Sequence, residues 1–340
     1  MKIAIHHHPG SFSERWIQYC QDHNIGYKQV NCYASDIIEQ MHECDALMWH
    51  WQHADPKAVL FARPLIYSLE TMGKKVFPDA NTCWHFDDKV GQKYLLEAIG
   101  APLVPSYVFY GQPEALAWIE QTAFPKVFKL RGGAGAANVF LVKTKSAAVA
   151  KVKQAFGKGF KPVAGYFSDL SAKVSRVKRT GSWFEKLKRA PQTIKNIYLL
   201  NHAMSVEKGY AYFQDFVPGN DGDTRIVVIG DCAFGLHRYC RDHDFRASGS
   251  GKIDYAVDLI PRACLKIAFS VANQLHLQCG AFDFIKGPDD TPLIVEISYG
   301  FAMPAYDACP GYWDRDLNYH EGTFNPQAKM LELVIKGCGK

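Results

Sequence analysis

Between Gly280 and Gly300 the chain reads GAFDFIKGPDDTPLIVEISYG, two runs of aromatic and β-branched residues separated by Gly287, Pro288, Asp289 and Asp290. Such runs form strands and the residues between them form turns, so the stretch is constrained to a β-hairpin. A turn centred between Asp289 and Asp290 sets Asp283 directly opposite Glu296. The two-residue period then puts Ile294, Glu296 and Ser298 on the face that Asp283 shares. Opposed Cβ atoms in an antiparallel pair lie about 4.5–5.5 Å apart, where two ionised carboxylates repel unless something positive stands between them. A hard divalent cation fills that place, since Mg²⁺ takes one or two carboxylates, several waters and nucleotide phosphates. The other reading is a strand face whose charges meet only water. Phe282, Phe284, Ile285, Ile294, Val295 and Ile297 argue for burial instead, and buried carboxylates are paired.

The 340 residues suffice for two or three subdomains with their own cores, and 48% hydrophobic with 21% charged residues is the composition of a soluble globular protein. No run of about 18 apolar residues occurs, and MKIAIHHHPG lacks the apolar core of a secretory signal, so a cytoplasmic protein is expected. Ten cysteines without a C-x-x-C pair indicate neither a zinc site nor a disulfide framework. The net charge of +5 is unevenly spread, with ten Lys and Arg between Lys158 and Lys195 against Asp169 and Glu185. That patch suits a phosphorylated substrate or an anionic lipid surface, or else a solvated lid. Nucleic acid is not expected, because it calls for a basic stripe along the whole chain.

The first 80 residues alternate strand and helix: a strand over 2–5, a helix from Ser11 to Asp22, a strand from Tyr27, a short helix capped by Ser35, and a strand from Ala46 to Trp49. A helix from Leu60 and a strand at Val76 complete a small parallel sheet. His7, Ser11 and His50 stand at the carboxyl ends of its strands, where ligands enter such sheets, and are candidate substrate contacts. From Asp87 follow the helix DDKVGQKYLLEAIG, a strand at Tyr107, a helix at Pro113, and a strand–turn–strand unit running through Lys129, Gly132, Gly133, Gly135 and Val139. The N–H groups of a glycine-rich turn can close on phosphates, although the order is not that of a Walker loop and a plain hairpin reads the same way. Strands from Tyr210, Thr224 and Cys232, a Gly/Ser-rich loop carrying Arg246 and Ser248, and a helix to Gln274 lead into the hairpin. That helix presents Ala263, Ile267, Val271 and Leu275 on one face.

In this order the motifs resemble the ATP-grasp superfamily, most closely its glutathione-synthetase-like and RimK-like carboxylate–amine ligases. They are the lysine in DDK, a strand lysine before a glycine-rich flap, YFQDFVPG followed by D-x-R, an arginine-glycine loop, and an Asp and a Glu on a hairpin. The resemblance implies an α/β protein, α+β in its C-terminal part. A small parallel β-α-β domain (1–80) would precede a two-subdomain ATP-grasp fold, with the flap in 81–157, a basic insertion or lid in 158–200 and the metal site in 201–340. It also implies ATP and Mg²⁺. Lys89 and Lys129 would hold the α- and β-phosphates, and Gly132, Gly133 and Gly135 would cover the γ-phosphate. Gln214 with the backbone of Asp215, Phe216 and Val217 would meet the adenine, and Asp223 the ribose. Arg225, Arg238 and Arg246 would face the transferring phosphate, with Asp283 and Glu296 on the metal. Ser298 stands where the family usually has an Asn ligand, and the loop "R-x-N…GG" is altered to Arg246-Ala247-Ser248-Gly249-Ser250-Gly251.

The reaction so implied is attack of a carboxylate on the γ-phosphate, then of an amine on the acyl phosphate. Tyr312 and Trp313, among Asp314, Arg315 and His320, suit stacking on a sugar or nucleoside, or packing of an aromatic tail over the ATP domain. With the basic segment they point to a sugar acid of polysaccharide synthesis, an amino acid or peptide being the nearer default. A homodimer and a peripheral membrane contact are further expectations. Phosphorylation of a hydroxyl and nucleotide binding without turnover are the alternatives of other classes.

Overall fold

The computed structural model describes residues 1–53, 55–133, 138–161, 205–242 and 244–339. Gly135 and most of the basic segment read at 158–200 lie outside them. Strands β1 (Lys2–His6), β2 (Gly26–Val30), β3 (Ala46–Met48) and β4 (Lys75–Phe77) form a parallel sheet in the order β2-β1-β3-β4. Helix α1 (Phe12–Asp22) is capped by Ser11, whose Oγ accepts from the Ser13 N–H. Next come α2 (Ile37–Gln40), α3 (Pro56–Thr71) and α4 (Ala80–Cys83). Ser35 does not cap α2; the N-cap is Asp36, without a side-chain bond.

Helix α5 (Lys89–Ala98) starts at the Asp88 carboxylate, which accepts from Gly91 N. Strand β5 (Ser106–Phe109), helix α6 (Gln112–Gln121), strands β6 (Lys126–Lys129) and β7 (Val139–Val142), helix α7 (Lys145–Phe156) and strand β8 (Ala211–Asp215) follow. Their strands make an antiparallel sheet in the order β5-β8-β6-β7 around Phe128, Phe213 and Val152.

The largest sheet contains β9 (Gly222–Ile229), β10 (Cys232–Tyr239), β11 (Ile253–Asp254), β12 (Cys279–Lys286), β13 (Pro292–Ser298), β14 (Gly311–Trp313) and β15 (Tyr319–Glu321). Its path runs β13-β12-β9-β10-β14-β15, with β11 on β10. Helices α8 (Arg262–Gln274) and α9 (Pro326–Cys338) complete it. The inner stripe of α8 is Cys264, Leu265, Ala268, Val271 and Ala272, whereas Ala263 is exposed, so the buried face is turned from the one expected.

Alternation along β9 explains where function can sit. Ile226 and Val228 face α8, with Phe282, Phe284, Ile294 and Ile297 in the same cluster. Val227 and Ile229 face the other way, into a core shared with Ile3, Phe12, Trp16 and Phe77 of the first sheet and with Met330 and Leu331 of α9. By the period of two, Asp223 and Arg225 lie on that second face, toward the other end of the strand. One face of the sheet is therefore apolar where it is covered and charged where it is open. Among the described residues no helix is long and apolar enough to cross a membrane.

Candidate nucleotide and metal site

The hairpin pairs Asp283 with Glu296, as its turn chemistry predicts, but the register shifts between Asp283 and Phe284, and Phe284 pairs with Ile294. Val295 is the extra residue of a bulge. The strict period therefore fails at one place. Ile294 does not share a face with Glu296 and packs instead with Phe282 and Phe284 under α8, while Val295 joins Glu296, Asp283 and Ile285 on the open side.

That open side is one wall of a cleft between the two antiparallel sheets. Lys89, Lys129 and Gly133 line it, as do Gln214, Asp215, Phe216 and Val217. Asp223, Arg246, Ser248, Asp283 and Glu296 line it too, so residues about 200 positions apart converge. Val127, Val139, Phe245, Ile285 and Val295 add an apolar lining that motif reading missed, although Val127 and Ile285 stand two residues from Lys129 and Asp283 and were legible by alternation.

The two lysines differ because their partners differ. Lys89 Nζ donates to Gly133 O at 2.8 Å and lies 3.1 Å from Glu296 Oε1. Burial works against its charge, but Glu296 and Asp87 outweigh it and hold the pKa above the usual value. Lys129 Nζ donates to the neutral Gln214 Oε1, so burial dominates and pushes its pKa down to about 8. Gln214 is spent at both ends, its Nε2 donating to Ser106 Oγ at 3.0 Å, and the Asp215 carboxylate accepts from Lys126 at 2.6 Å.

Asp87, unassigned by motif, holds the flap base. Its Oδ1 accepts from Gly133 N at 2.6 Å, and a Cβ on Gly132 would lie 3.0 Å from its Oδ2. Gly133 needs its φ of +105°, a region L residues rarely enter. Arg246 forks onto Asp244 and reaches Val139 O at 3.5 Å, tying the 242–251 loop to the flap strand.

Arg225 and Arg238 lie behind the cleft wall instead of lining it. Arg238 donates to Asp223 through Nε (2.6 Å) and Nη2 (2.7 Å), and its Nη2 is 2.9 Å from Asp283 Oδ2. Arg225 Nε stands 3.3 Å from Asp283 Oδ1, yet both atoms are buried without a hydrogen-bond partner. Burial disfavours the Asp283 anion, but the two arginines hold its pKa below the ordinary value. Tyr306 sits close enough to feel them; burial pushes its hydroxyl up to about 12 against their pull.

Each of the opposed carboxylates thus has positive charge of the chain beside it, Glu296 from Lys89 and Asp283 from Arg225 and Arg238. Among the described residues no group of three His, Cys, Asp or Glu is arranged for a metal. Asp283, whose Oδ1 makes no hydrogen bond, and the partly exposed Glu296 on the paired strand nevertheless fit a hard cation that brings most of its own oxygens, as Mg²⁺ on a nucleotide does. Ser298 does not join them: its Oγ donates to Gly300 O at 3.0 Å, accepts from Gly300 N at 3.1 Å, and lines no part of the cleft.

The remaining substrate candidates separate. Ser11 is a buried cap bonded to Ser13 Oγ at 2.7 Å, and His7 Nδ1 meets the same oxygen at 3.1 Å. His50 accepts from Phe12 N at 3.2 Å, stacks on the Phe12 ring, and is kept neutral by burial, with a pKa near 3. A methyl on Gly300 would lie 3.7 Å from its Nε2, so His50 adjoins the end of the β12–β13 hairpin. Trp313 pairs with Ala233, five residues along β10 from Arg238 and so about 17 Å away. It is buried against α8, while Tyr312 stacks on His320 and Phe324. Neither reaches the cleft, which leaves packing as the reading for this aromatic run.

No protein-family model matches the chain, and no curated protein sequence does. Solved structures do. The chain is similar to D-cycloserine synthetase DcsG (TM-score 0.57, 14% identity, 99% of each chain covered). It is similar to a RimK domain protein ATP-grasp from Sphaerobacter thermophilus (TM-score 0.57, 15% identity, 99% of this chain and 100% of the other). It is similar also to D-alanine–D-alanine ligase from Bacillus anthracis complexed with ATP (TM-score 0.54, 12% identity, 99% and 96% covered).

Proposed function

The chain has the ATP-grasp fold over its whole length, and from that premise we propose that it is an ADP-forming ligase joining a carboxylate to an amine through an acyl phosphate. One observation carries the reading. A single cleft combines apolar walls at Val127, Phe216 and Ile285 with Lys89, Lys129, Asp283 and Glu296, which matches a flat base followed by a polyphosphate and its cation. Val217 and the backbone of 214–217 meet the base, Lys89 and Lys129 the phosphates, and the Gly132–Gly133 turn with Arg246 covers the transferring group. Asp283 and Glu296 hold Mg²⁺, which when bound neutralises charge on the phosphates. The protein's own contribution is positioning and exclusion of water from the acyl phosphate. With Tyr312 and Trp313 packed elsewhere, a small acid such as an amino acid, presented near His50 and Gly300, is preferred over a sugar acid.

ADP release from Mg·ATP across acids and amines, singly and in pairs, tests this. Release that needs one of each is expected; release with a single hydroxylated compound would replace the ligase by a kinase, and a chain that binds no ATP would remove both.

Lys129 gives the nucleotide step a pH signature. A polyphosphate favours its charged form, so its pKa rises on binding from about 8 in the free protein. Well below pH 8 it is charged in both states and affinity is flat; above pH 8 binding takes up a proton and weakens as pH rises. ADP affinity about tenfold lower at pH 9 than at pH 7 is expected, with proton uptake visible by calorimetry in two buffers. Lys129→Arg should flatten the profile; an unchanged slope in that variant would assign the titration elsewhere.

A further inference from the structure

We propose that Arg238 is a positioning residue, anchored by Asp223, which fixes the orientation of the Asp283 carboxylate for the cation, instead of touching the transferring phosphate. The inference rests on the ligase reading above and assigns two of its residues differently from their motif roles.

The strands explain why an arginine is needed. Arg238 on β10 stands directly opposite Asp223 on β9, while Asp283 lies one strand further, opposite Arg225. Strands β10 and β12 are therefore about 10 Å apart, with β9 between them. Only a long side chain with several fixed donors spans that gap and still binds two carboxylates. Arg238 does so with both Asp223 oxygens at 2.6 and 2.7 Å and Asp283 Oδ2 at 2.9 Å. Arg238 is 8% exposed and is not part of the cleft lining. A group held by two carboxylates and shut away from the cleft is poorly placed to follow a moving phosphoryl group.

Asp283 shows the consequence. Its Oδ2 is taken by Arg238, whereas its Oδ1 makes no hydrogen bond and lies buried 3.3 Å from Arg225 Nε. A carboxylate bonded to Arg238 at one oxygen and flanked by Arg225 at the other is held in a single orientation, which pre-orients it as a ligand. Asp223 is correspondingly the anchor of the arginine. Both of its oxygens already accept from Arg238, so a ribose hydroxyl would have to share them.

Binding of Mn²⁺ to the full chain, followed by electron paramagnetic resonance with and without a non-hydrolysable ATP analogue, tests the assignment. Arg238→Lys loses the double reach, and Asp223→Asn loosens its anchor with little change of shape. Both variants should weaken Mn²⁺ binding in the presence of the analogue at least tenfold and raise the Mg²⁺ needed for turnover. Affinity for the metal-free analogue should stay within a few fold, and turnover should fall much less at saturating than at limiting Mg²⁺. Arg238→Lys with unchanged Mn²⁺ affinity and a large fall in kcat at saturating metal would place Arg238 on the phosphate and overturn the proposal. So would Asp223→Asn acting only on the KM for ATP and not on that for 2′-deoxy-ATP, the behaviour of a ribose ligand. If Arg238→Lys fails a thermal melt, the Asp223→Asn arm decides alone. A parent protein that binds neither analogue nor Mn²⁺ would instead overturn the ligase reading itself.

Discussion

Glu296→Gln is expected to lower ADP formation about a thousandfold or more while the protein melts within a few degrees of the parent, a barrier increase of about 4 kcal/mol without loss of the fold. The substitution keeps the shape of the side chain and removes only its charge. A neutral amide oxygen is a poor ligand for a hard cation, and neutralisation of phosphate charge is where a metal lowers the barrier of this chemistry. Stability should change little. The Glu296 side chain is 30% exposed but Lys89 is only 5% exposed, so the cost of losing the pair is limited by what Lys89 keeps. Lys89 retains Gly133 O at 2.8 Å and the field of Asp87. Asp283 would be the poorer choice, because removing its carboxylate leaves Arg225 buried without that partner and Arg238 with Asp223 alone, and a failure to turn over would be mixed with a failure to fold. ADP release and a melting curve on the same preparation suffice, and parent-like turnover in Glu296→Gln would remove the metal assignment.

The same hairpin marks what could be read in advance. The turn at Gly287–Asp290 and the strand composition set Asp283 against Glu296, since both are local properties. The bulge at Val295 was not legible: one inserted residue leaves composition unchanged yet turns Ile294 to the opposite face. Lys89 beside Glu296, and Arg225 and Arg238 beside Asp283, were not legible in the hairpin, because these pairings depend on the non-local register of β12, β9 and β10 and on the start of α5. Motif order brought Lys89, Lys129, Gln214, Asp223 and Arg246 to one cleft, because in a fold of this kind order along the chain fixes proximity. Tyr312 and Trp313 show the limit. An aromatic run has the same sequence whether it stacks on a ligand or fills a core, and only β14 pairing beside Ala233 decides for the core. Helices α7 and α9 went unread, although α9 supplies Met330 and Leu331 to the core between the two sheets.

That core is where the second large effect is expected, and Phe234→Ala measures it. The ring is fully buried and lies 5.2–5.8 Å from those of Phe301, Tyr306 and Phe324. Deleting such a side chain costs about 3–5 kcal/mol, part transfer and part cavity, because rigid aromatic neighbours collapse poorly onto the space. A fall in melting temperature of about 5–10 °C should follow, read by scanning calorimetry. Activity should suffer as well at temperatures where the variant is folded, for a local reason. Phe301 and Tyr306 belong to the segment that leaves the metal hairpin after Gly300, and Tyr306 lies within the field of Arg225 and Arg238. Loosening that segment disturbs the supports of Asp283. Trp313→Ala supplies the contrast. It opens a comparable cavity in the cluster on the other face of the same sheet, far from the cleft, and should cost similar stability. The KM values for ATP and for the acid should then stay near those of the parent. Equal kinetic damage from both variants would mean that the sheet transmits any loss of packing to the cleft. A selective rise in acid KM from Trp313→Ala would return that tryptophan to the substrate.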